Sequence, residues 1–351
     1  MKFKKRHAFL SILLVIGFGF ALGPRVSYPA FDDQPVELQV DLQDLDAYLA
    51  KREARVEKLK PNNQAQIIWN DSIRKTPYSI VYIHGFSASP MEGDPVHLEI
   101  AKRYGCNLYL PRLAGHGIDD IESFKDLTPK ALIESAKEAL AIGAMIGEKV
   151  ILMSCSTGST LSVYLAATQA QEIHSMIMYS PNIDLYSGLS NLLTGPWGLE
   201  IAQQVSGGNY RSFEAPPGGE QYWTTKYRIE GIVCLRDLLD KTMTPDNFAK
   251  ITQPYFLGYY YKTEEESDHV ISIDAIKSFH AQTRTPEAQK VLQAFPNVAN
   301  HVLPSSIQSK DIASVREKTI AFMEQVLSMT PAAPPLPISE EAAPAELEAA
   351  N

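Results

Sequence analysis

The sequence is short of cysteine, of surplus positive charge and of long apolar runs, and each shortage excludes something. Cys106, Cys155 and Cys234 are its three cysteines. An odd, small number is no disulfide framework, and no pair has metal-ligand spacing. They read as small buried apolar residues. Lys and Arg number 32 against 41 Asp and Glu, for a net charge of −9. Contacts to phosphate backbones need clustered Lys and Arg, so a nucleic-acid partner is excluded. The Gly-rich loop "RLAGHG", Arg112 to Gly117, lacks the Gly-Lys-Ser/Thr ending of a phosphate loop. It reads as a tight turn. No internal repeat is present. The apolar content of 45% and charged content of 21% are those of a globular chain with a sizeable core. At 351 residues it has room for one large α/β domain with an insertion, or for two ordinary domains.

One long apolar run does occur. "AFLSILLVIGFGFALG", Ala8 to Gly23, follows the basic "MKFKKRH". This is the layout of a signal peptide or a short membrane anchor. The run is somewhat shorter than the ~20 residues a spanning helix wants. Pro24 directly after "ALG" disfavours cleavage there, and no Cys offers a lipidation site. The expectation is an uncleaved single-pass anchor within residues 1–29, a cell-membrane location, and a catalytic domain outside the cytoplasm by the positive-inside tendency. Cleavage would instead give a periplasmic or secreted protein. At the other end, residues 330–351, "TPAAPPLPISEEAAPAELEAAN", are rich in Pro, Ala and Glu and read as a disordered tail.

Between the ends, apolar and β-branched runs alternate with helical patterns. The runs are "AQIIW", "YSIVYIHG", "NLYLPRL", "KVILMSCS", "SMIMYSP", "PYFLGYYYK" and "KVLQAFPN". Near-continuous apolar strands separated by helices imply a mostly parallel, doubly wound sheet covered on both faces. About 70 residues separate the fifth and sixth runs, too many for a structureless loop. They are expected to form an inserted, mostly helical cap. The resulting division is core 30–181, cap 182–250 and core 251–329.

In such sheets ligands bind beyond the carboxyl ends of the strands. "KVILMSCSTGS" is such an end, a strand running through small residues into a helix. The pattern Gly-x-Ser-x-Gly marks a sharp turn that exposes a serine oxygen above the sheet. Here it reads Ser154-Cys155-Ser156-Thr157-Gly158, which makes Ser156 the candidate nucleophile. Ser154 stands where the pattern has its first glycine. Cys155 is a rival by residue type, but it occupies the position that points away from the site.

A serine hydroxyl needs a neighbouring base, itself oriented by a carboxylate. In this architecture the chain order is serine, acid, histidine. The loop after "PYFLGYYYK" offers Asp268, with Glu264, Glu265 and Glu266 as alternatives. The loop after the last strand offers His301. His269 and His280 come too soon after the acid, and His174 precedes its strand. The oxyanion formed on attack needs two N–H donors. Thr157, after the serine, and Phe86, in the turn "HGFS" after an early strand, are the candidates. His84 reads as structural.

These five ordered elements together resemble the α/β-hydrolase superfamily, within it the monoacylglycerol-lipase, carboxylesterase and serine-aminopeptidase-like group. The carriers are "HGFSAS", "GHG", "SCSTG", "DHVIS" and "NH", and the likeness covers about Ile67 to Leu327. The resemblance implies the α/β-hydrolase fold. It implies Ser156 as nucleophile, Asp268 as acid, His301 as base, and Phe86 and Thr157 as oxyanion donors. It implies a covalent acyl-enzyme and no metal or organic cofactor. The long loop ahead of Asp268 and Ser154 in place of glycine depart from the pattern. The expected reaction is hydrolysis of a carboxylic ester, since alcohols leave more easily than amines. An amide hydrolase, an acyltransferase with the same triad and a non-catalytic ligand binder are the alternatives. Trp197, Trp223, Tyr222 and Leu192 in the cap hint at a hydrophobic acyl substrate, though they equally suit cap-to-core packing.

Overall fold

A computed structural model describes residues 17–332. Before the first sheet strand lies α1 (Leu45–Glu53), which buries Leu45 and Leu49. The core follows as β1 (Gln66–Ile68), β2 (Thr76–Ile83), α2 (Val96–Tyr104), β3 (Asn107–Leu110), α3 (Pro129–Ile146), β4 (Gly147–Cys155), α4 (Thr157–Thr168) and β5 (Ile173–Tyr179). The chain then leaves the sheet for α5 (Gly198–Val205), β6 (Tyr210–Ser212), β7 (Lys226–Arg228), α6 (Glu230–Thr242) and α7 (Pro245–Phe248). It returns with β8 (Tyr255–Tyr260), α8 (Ile273–Gln282), β9 (Lys290–Phe295) and α9 (Ile312–Gln325).

The seven sheet strands run in the order β1-β3-β2-β4-β5-β8-β9. Each coincides with one of the seven apolar runs. Every pairing is parallel except β1 with β3, where Ile67 faces Tyr109 antiparallel. The strands read as unbroken apolar runs because both faces are buried. Val81, Ile83, Leu152, Met178 and Leu257 join one core. Their neighbours Tyr82, Ile151, Met153, Ile177 and Phe256 join the other. Alternation along each strand sends successive side chains to opposite faces, and apolar residues are needed at every position.

The helices begin where local chemistry permits. Thr128 caps α3 by accepting from the Ala131 N–H at 3.1 Å, with Pro129 at the first helical position. Ser272 and Asp311 cap α8 and α9 in the same way.

The excursion between β5 and β8 is less purely helical than its sequence suggests, since β6 and β7 pair antiparallel as a separate ribbon. Tyr210 is half-buried and Arg211 and Ser212 are exposed, so three short residues gave no apolar alternation to read. Thr224 N–H donates to Ser87 O at 2.7 Å, which ties this excursion to the loop after β2.

The expected membrane anchor is corrected. No helix among the described residues is long and apolar enough to cross a membrane. Residues 17–21 are helical, and the helix ends before Leu22. The Gly23–Pro24 pair that follows disfavours its continuation. With the anchor go the transmembrane and signal-anchor readings, the membrane as a partner, and the location deduced from them. Residues 1–16 of that reading, and 333–351 of the expected disordered tail, lie outside the described residues.

Candidate active site

The site is built at the carboxyl ends of β2 and β4 and in the loops after β8 and β9. β4 ends in Cys155, and the chain turns sharply at Ser156 before α4 begins at Thr157. Ser156 has φ 53° and ψ −118°, a conformation side chains rarely adopt. Its N–H is fixed by Tyr179 O at 2.9 Å, and its carbonyl accepts from Asn182 N–H at 3.2 Å. Gly158 permits the turn. A Cβ there would stand 1.9 Å from Ile83 O and 2.7 Å from His84 O, both rigid backbone at the end of β2.

Ser154, in place of the pattern's first glycine, is fully buried. Its Oγ lies 3.0 Å from Ser159 Oγ, so a hydroxyl pair occupies the place that glycine would leave empty. Cys155 is also fully buried, and burial pushes its thiol well above its ordinary range, which removes it as a nucleophile.

Asp268 and His301 meet. Nδ1 of His301 lies 2.6 Å from Oδ2 of Asp268. The other oxygen of Asp268 accepts from the N–H groups of Val270 and Ile271, at 2.9 and 3.4 Å. The three alternative acids are exposed and spent locally. Lys262 pairs with Glu266 at 2.8 Å, Tyr261 donates to Glu264, and Thr263 donates to Glu265. His301 Nε2 is buried and has no hydrogen-bond partner among the described residues. The Ser156–His301 hydrogen bond is therefore not made in this structure. Both loops leave the same sheet, in which only β5 and β8 separate β4 from β9.

The other histidines weighed in the sequence are bonded or placed elsewhere. His84 accepts the Leu113 N–H at 3.1 Å and is structural. His280 bonds Tyr255, and His269 is exposed against Tyr186. His174 lies at the amino end of β5.

The loop after β2 carries the proposed second oxyanion donor. The Phe86 ring is clamped by Phe124, Tyr227 and His116, with centroids 4.7, 5.5 and 5.6 Å away. Neither the Phe86 nor the Thr157 N–H has an acceptor among the described residues. Gly85 passes against the serine. A Cβ on it would stand 3.1 Å from Ser156 Cβ and 2.9 Å from Glu92 Oε1.

Residues 80–306 match the profile of the alpha/beta hydrolase family. The chain belongs to that family. No curated protein matches the sequence. Solved structures share the fold at low identity. A structure from work on the metagenome-derived lipolytic enzymes LipS and LipT has TM-score 0.61 and 15% identity, over 76% of this chain and 99% of that one. A monoacylglycerol lipase of Paleococcus ferrophilus has TM-score 0.55 and 12% identity, over 76% and 98%. A putative non-heme bromoperoxidase of Mycobacterium tuberculosis has TM-score 0.51 and 11% identity, over 78% and 99%. Such different names on one scaffold mean that chemistry must be argued from the site.

In this alpha/beta hydrolase the electrostatics centre on His301. Burial opposes its charged form, but the charge and hydrogen bond of Asp268, with a further contribution from Glu92, outweigh it and raise its pKa above 6.5. Burial likewise opposes ionisation of Asp268, and His301 with the Val270 and Ile271 N–H groups holds its carboxyl below the usual range. Glu92 is the residue that sequence reasoning missed. Burial pushes its carboxyl up to about 7, against the Gly85 N–H, the Tyr82 hydroxyl and the charge of His301. Nothing in "SASPMEGDP" separates an acid folded inward from one on a solvated turn.

Proposed function

We propose that this alpha/beta hydrolase is a serine hydrolase of carboxylic esters, with Ser156 as nucleophile, His301 as base and Asp268 as the orienting acid. What chiefly supports the reading is the 2.6 Å contact between His301 Nδ1 and Asp268 Oδ2, beside a serine in a strained turn at the end of β4. Asp268 selects the tautomer with the proton on Nδ1 and leaves Nε2 free to accept one.

In this reading Ser156 Oγ attacks the acyl carbonyl as its proton passes to His301 Nε2. Hydrogen bonds of this kind often tighten only once substrate is bound. The oxyanion is held by the N–H groups of Phe86 and Thr157. The intermediate collapses, the alcohol leaves with the proton from His301, and the acyl group stays on Ser156. Water, deprotonated by the same imidazole, then releases the acid and regenerates the serine. Residues 182–250 serve as the cap over this site, between core segments 30–181 and 251–329. Tyr227, which is buried, packs its ring against Phe86. That favours a substrate with a hydrophobic acyl group.

The test is covalent labelling with a fluorophosphonate, alongside hydrolysis of p-nitrophenyl esters of graded chain length. Wild type should label and turn over, and Ser156→Ala should do neither while remaining folded. A folded wild-type protein that takes no label would overturn the reading in favour of a ligand binder. Cleavage of aminoacyl amides in preference to esters would replace the substrate class and keep the triad.

A further inference from the structure

Glu92 occupies an unusual place for a carboxyl group. It lies on the short 3₁₀ turn Pro90–Gly93 that follows the Phe86 loop, and it is only 2% exposed. Burying a carboxyl is costly unless it is paired and hydrogen-bonded. No Lys or Arg pairs with it among the described residues, and its bonds are to the site itself. Oε2 accepts the Gly85 N–H at 2.8 Å and the Tyr82 hydroxyl at 3.1 Å. Oε1 and the serine both crowd Gly85, since a Cβ there would meet Glu92 Oε1 at 2.9 Å and Ser156 Cβ at 3.1 Å.

Gly85 immediately precedes Phe86, and a glycine left to itself samples backbone angles broadly. The Gly85 N–H belongs to the preceding peptide, so its bond to Glu92 fixes one side of the residue. The Gly85 carbonyl, in the same peptide as the Phe86 N–H, accepts from the Ala88 N–H at 3.3 Å and lies 2.9 Å from His84 Nδ1. With both sides held, the φ and ψ of Gly85, and so the direction of the Phe86 N–H, are set. A second tie, Thr224 N–H to Ser87 O at 2.7 Å, holds the loop from the far side. An oxyanion donor is effective only when it is aligned before the charge develops.

We propose that Glu92 is a positioning residue for the oxyanion loop: it holds the Gly85 N–H so that the Phe86 N–H faces the substrate's carbonyl oxygen. The inference rests on the serine-hydrolase reading. It assigns Glu92 no bond to substrate and no proton transfer.

The test compares wild type, Glu92→Gln and Glu92→Met with p-nitrophenyl butyrate. Gln keeps an acceptor oxygen at the same reach, and Met keeps the volume without an oxygen acceptor. Glu92→Met should lower kcat by about 10–100-fold, less than outright loss of a donor, with KM changed less than about threefold. Glu92→Gln should restore kcat to within about threefold of wild type. A merely structural role predicts a lower melting temperature in both variants and no selective loss of kcat. Glu92→Met with wild-type kcat overturns the proposal. So does Glu92→Gln falling as far as Glu92→Met, which would assign the effect to charge. Should Glu92→Met not fold, Glu92→Leu, which also lacks an oxygen acceptor, takes its place with the same expected outcomes. Fluorophosphonate labelling of wild type keeps the two readings apart. If wild type neither labels nor turns over, the serine-hydrolase reading itself has failed. If it does both and Glu92→Met matches it, only the role of Glu92 has.

Discussion

Asp268 holds His301 with one carboxylate oxygen while its other oxygen is itself held by the backbone. Oδ2 lies 2.6 Å from Nδ1 of His301, and Oδ1 accepts from the Val270 N–H at 2.9 Å. The acid cannot rotate away from the imidazole without giving up its own bonds. If this imidazole is the proposed base, it should show itself in the pH dependence of turnover. His301 would have to be neutral to take a proton, and its pKa is raised above 6.5. kcat/KM should therefore rise with pH through a midpoint above 6.5. Anionic Glu92 favours the imidazolium, so Glu92→Gln should move that midpoint down. A pH–rate profile for both proteins checks the sign, and an upward shift in the variant would contradict it.

Replacing Asp268 by Asn keeps the shape and removes the charge. The amide nitrogen facing Nδ1 would favour the wrong tautomer and leave the proton on Nε2. On the proposed role, kcat should fall on the order of 10³–10⁴-fold, the loss typical of the orienting acid of a Ser-His-Asp triad. Single replacements of Glu264, Glu265 or Glu266 by Gln should change kcat less than about threefold, because all three are exposed and bonded within their own loop.

The backbone of Ser156 carries strain that glycine would relieve. Ser156 sits at φ 53° and ψ −118°. Such a residue costs roughly 1–3 kcal/mol, and a glycine adds roughly 0.5–1 kcal/mol of unfolded-state entropy. Ser156→Gly should thus be inactive yet more stable than wild type by about 1 kcal/mol, raising Tm by roughly 1–2 °C. Ser156→Ala keeps the Cβ and should gain little. Thermal melts of the three proteins separate relief of strain from loss of the hydroxyl.

The parts of this molecule that were legible in its sequence are those dictated by periodicity and chain order. All seven strands were visible because two buried faces force unbroken apolar runs such as "SMIMYSP". Ser156 and His301 could be proposed for the site because each follows such a run in a turn of small or polar residues. Asp268 could be named but not separated from Glu264, Glu265 and Glu266. What separates them is three-dimensional, one carboxyl turned inward onto Nδ1 and three turned to solvent. The antiparallel pairing of β1 was hidden, because strand direction leaves no mark on composition. The short ribbon β6–β7 was hidden by its exposure. The N-terminal apolar run misled, since composition alone made it an anchor, and no helix among the described residues has the length or apolarity to cross a membrane.

Ser154 stood out in the sequence as a departure from the glycine of the turn pattern, and its partner explains why it is tolerated. Its Oγ is 3.0 Å from Ser159 Oγ, and both residues are fully buried. Restoring the pattern's glycine should therefore harm this particular chain. Ser154→Gly would remove one hydroxyl of the pair and leave Ser159 with an unsatisfied group in the core, at a cost of about 1–3 kcal/mol. The added backbone freedom of glycine acts in the same direction. Tm should drop by several degrees, while kcat stays within about threefold, because Ser156 N–H remains fixed by Tyr179 O. The double variant Ser154→Gly with Ser159→Ala removes both hydroxyls, so no buried group is orphaned. It should recover part of the lost stability, and the coupling read from that double-mutant cycle measures the pair. A Ser154→Gly protein more stable than wild type would mean that the hydroxyl pair contributes nothing and that the serine is an ordinary tolerated substitution.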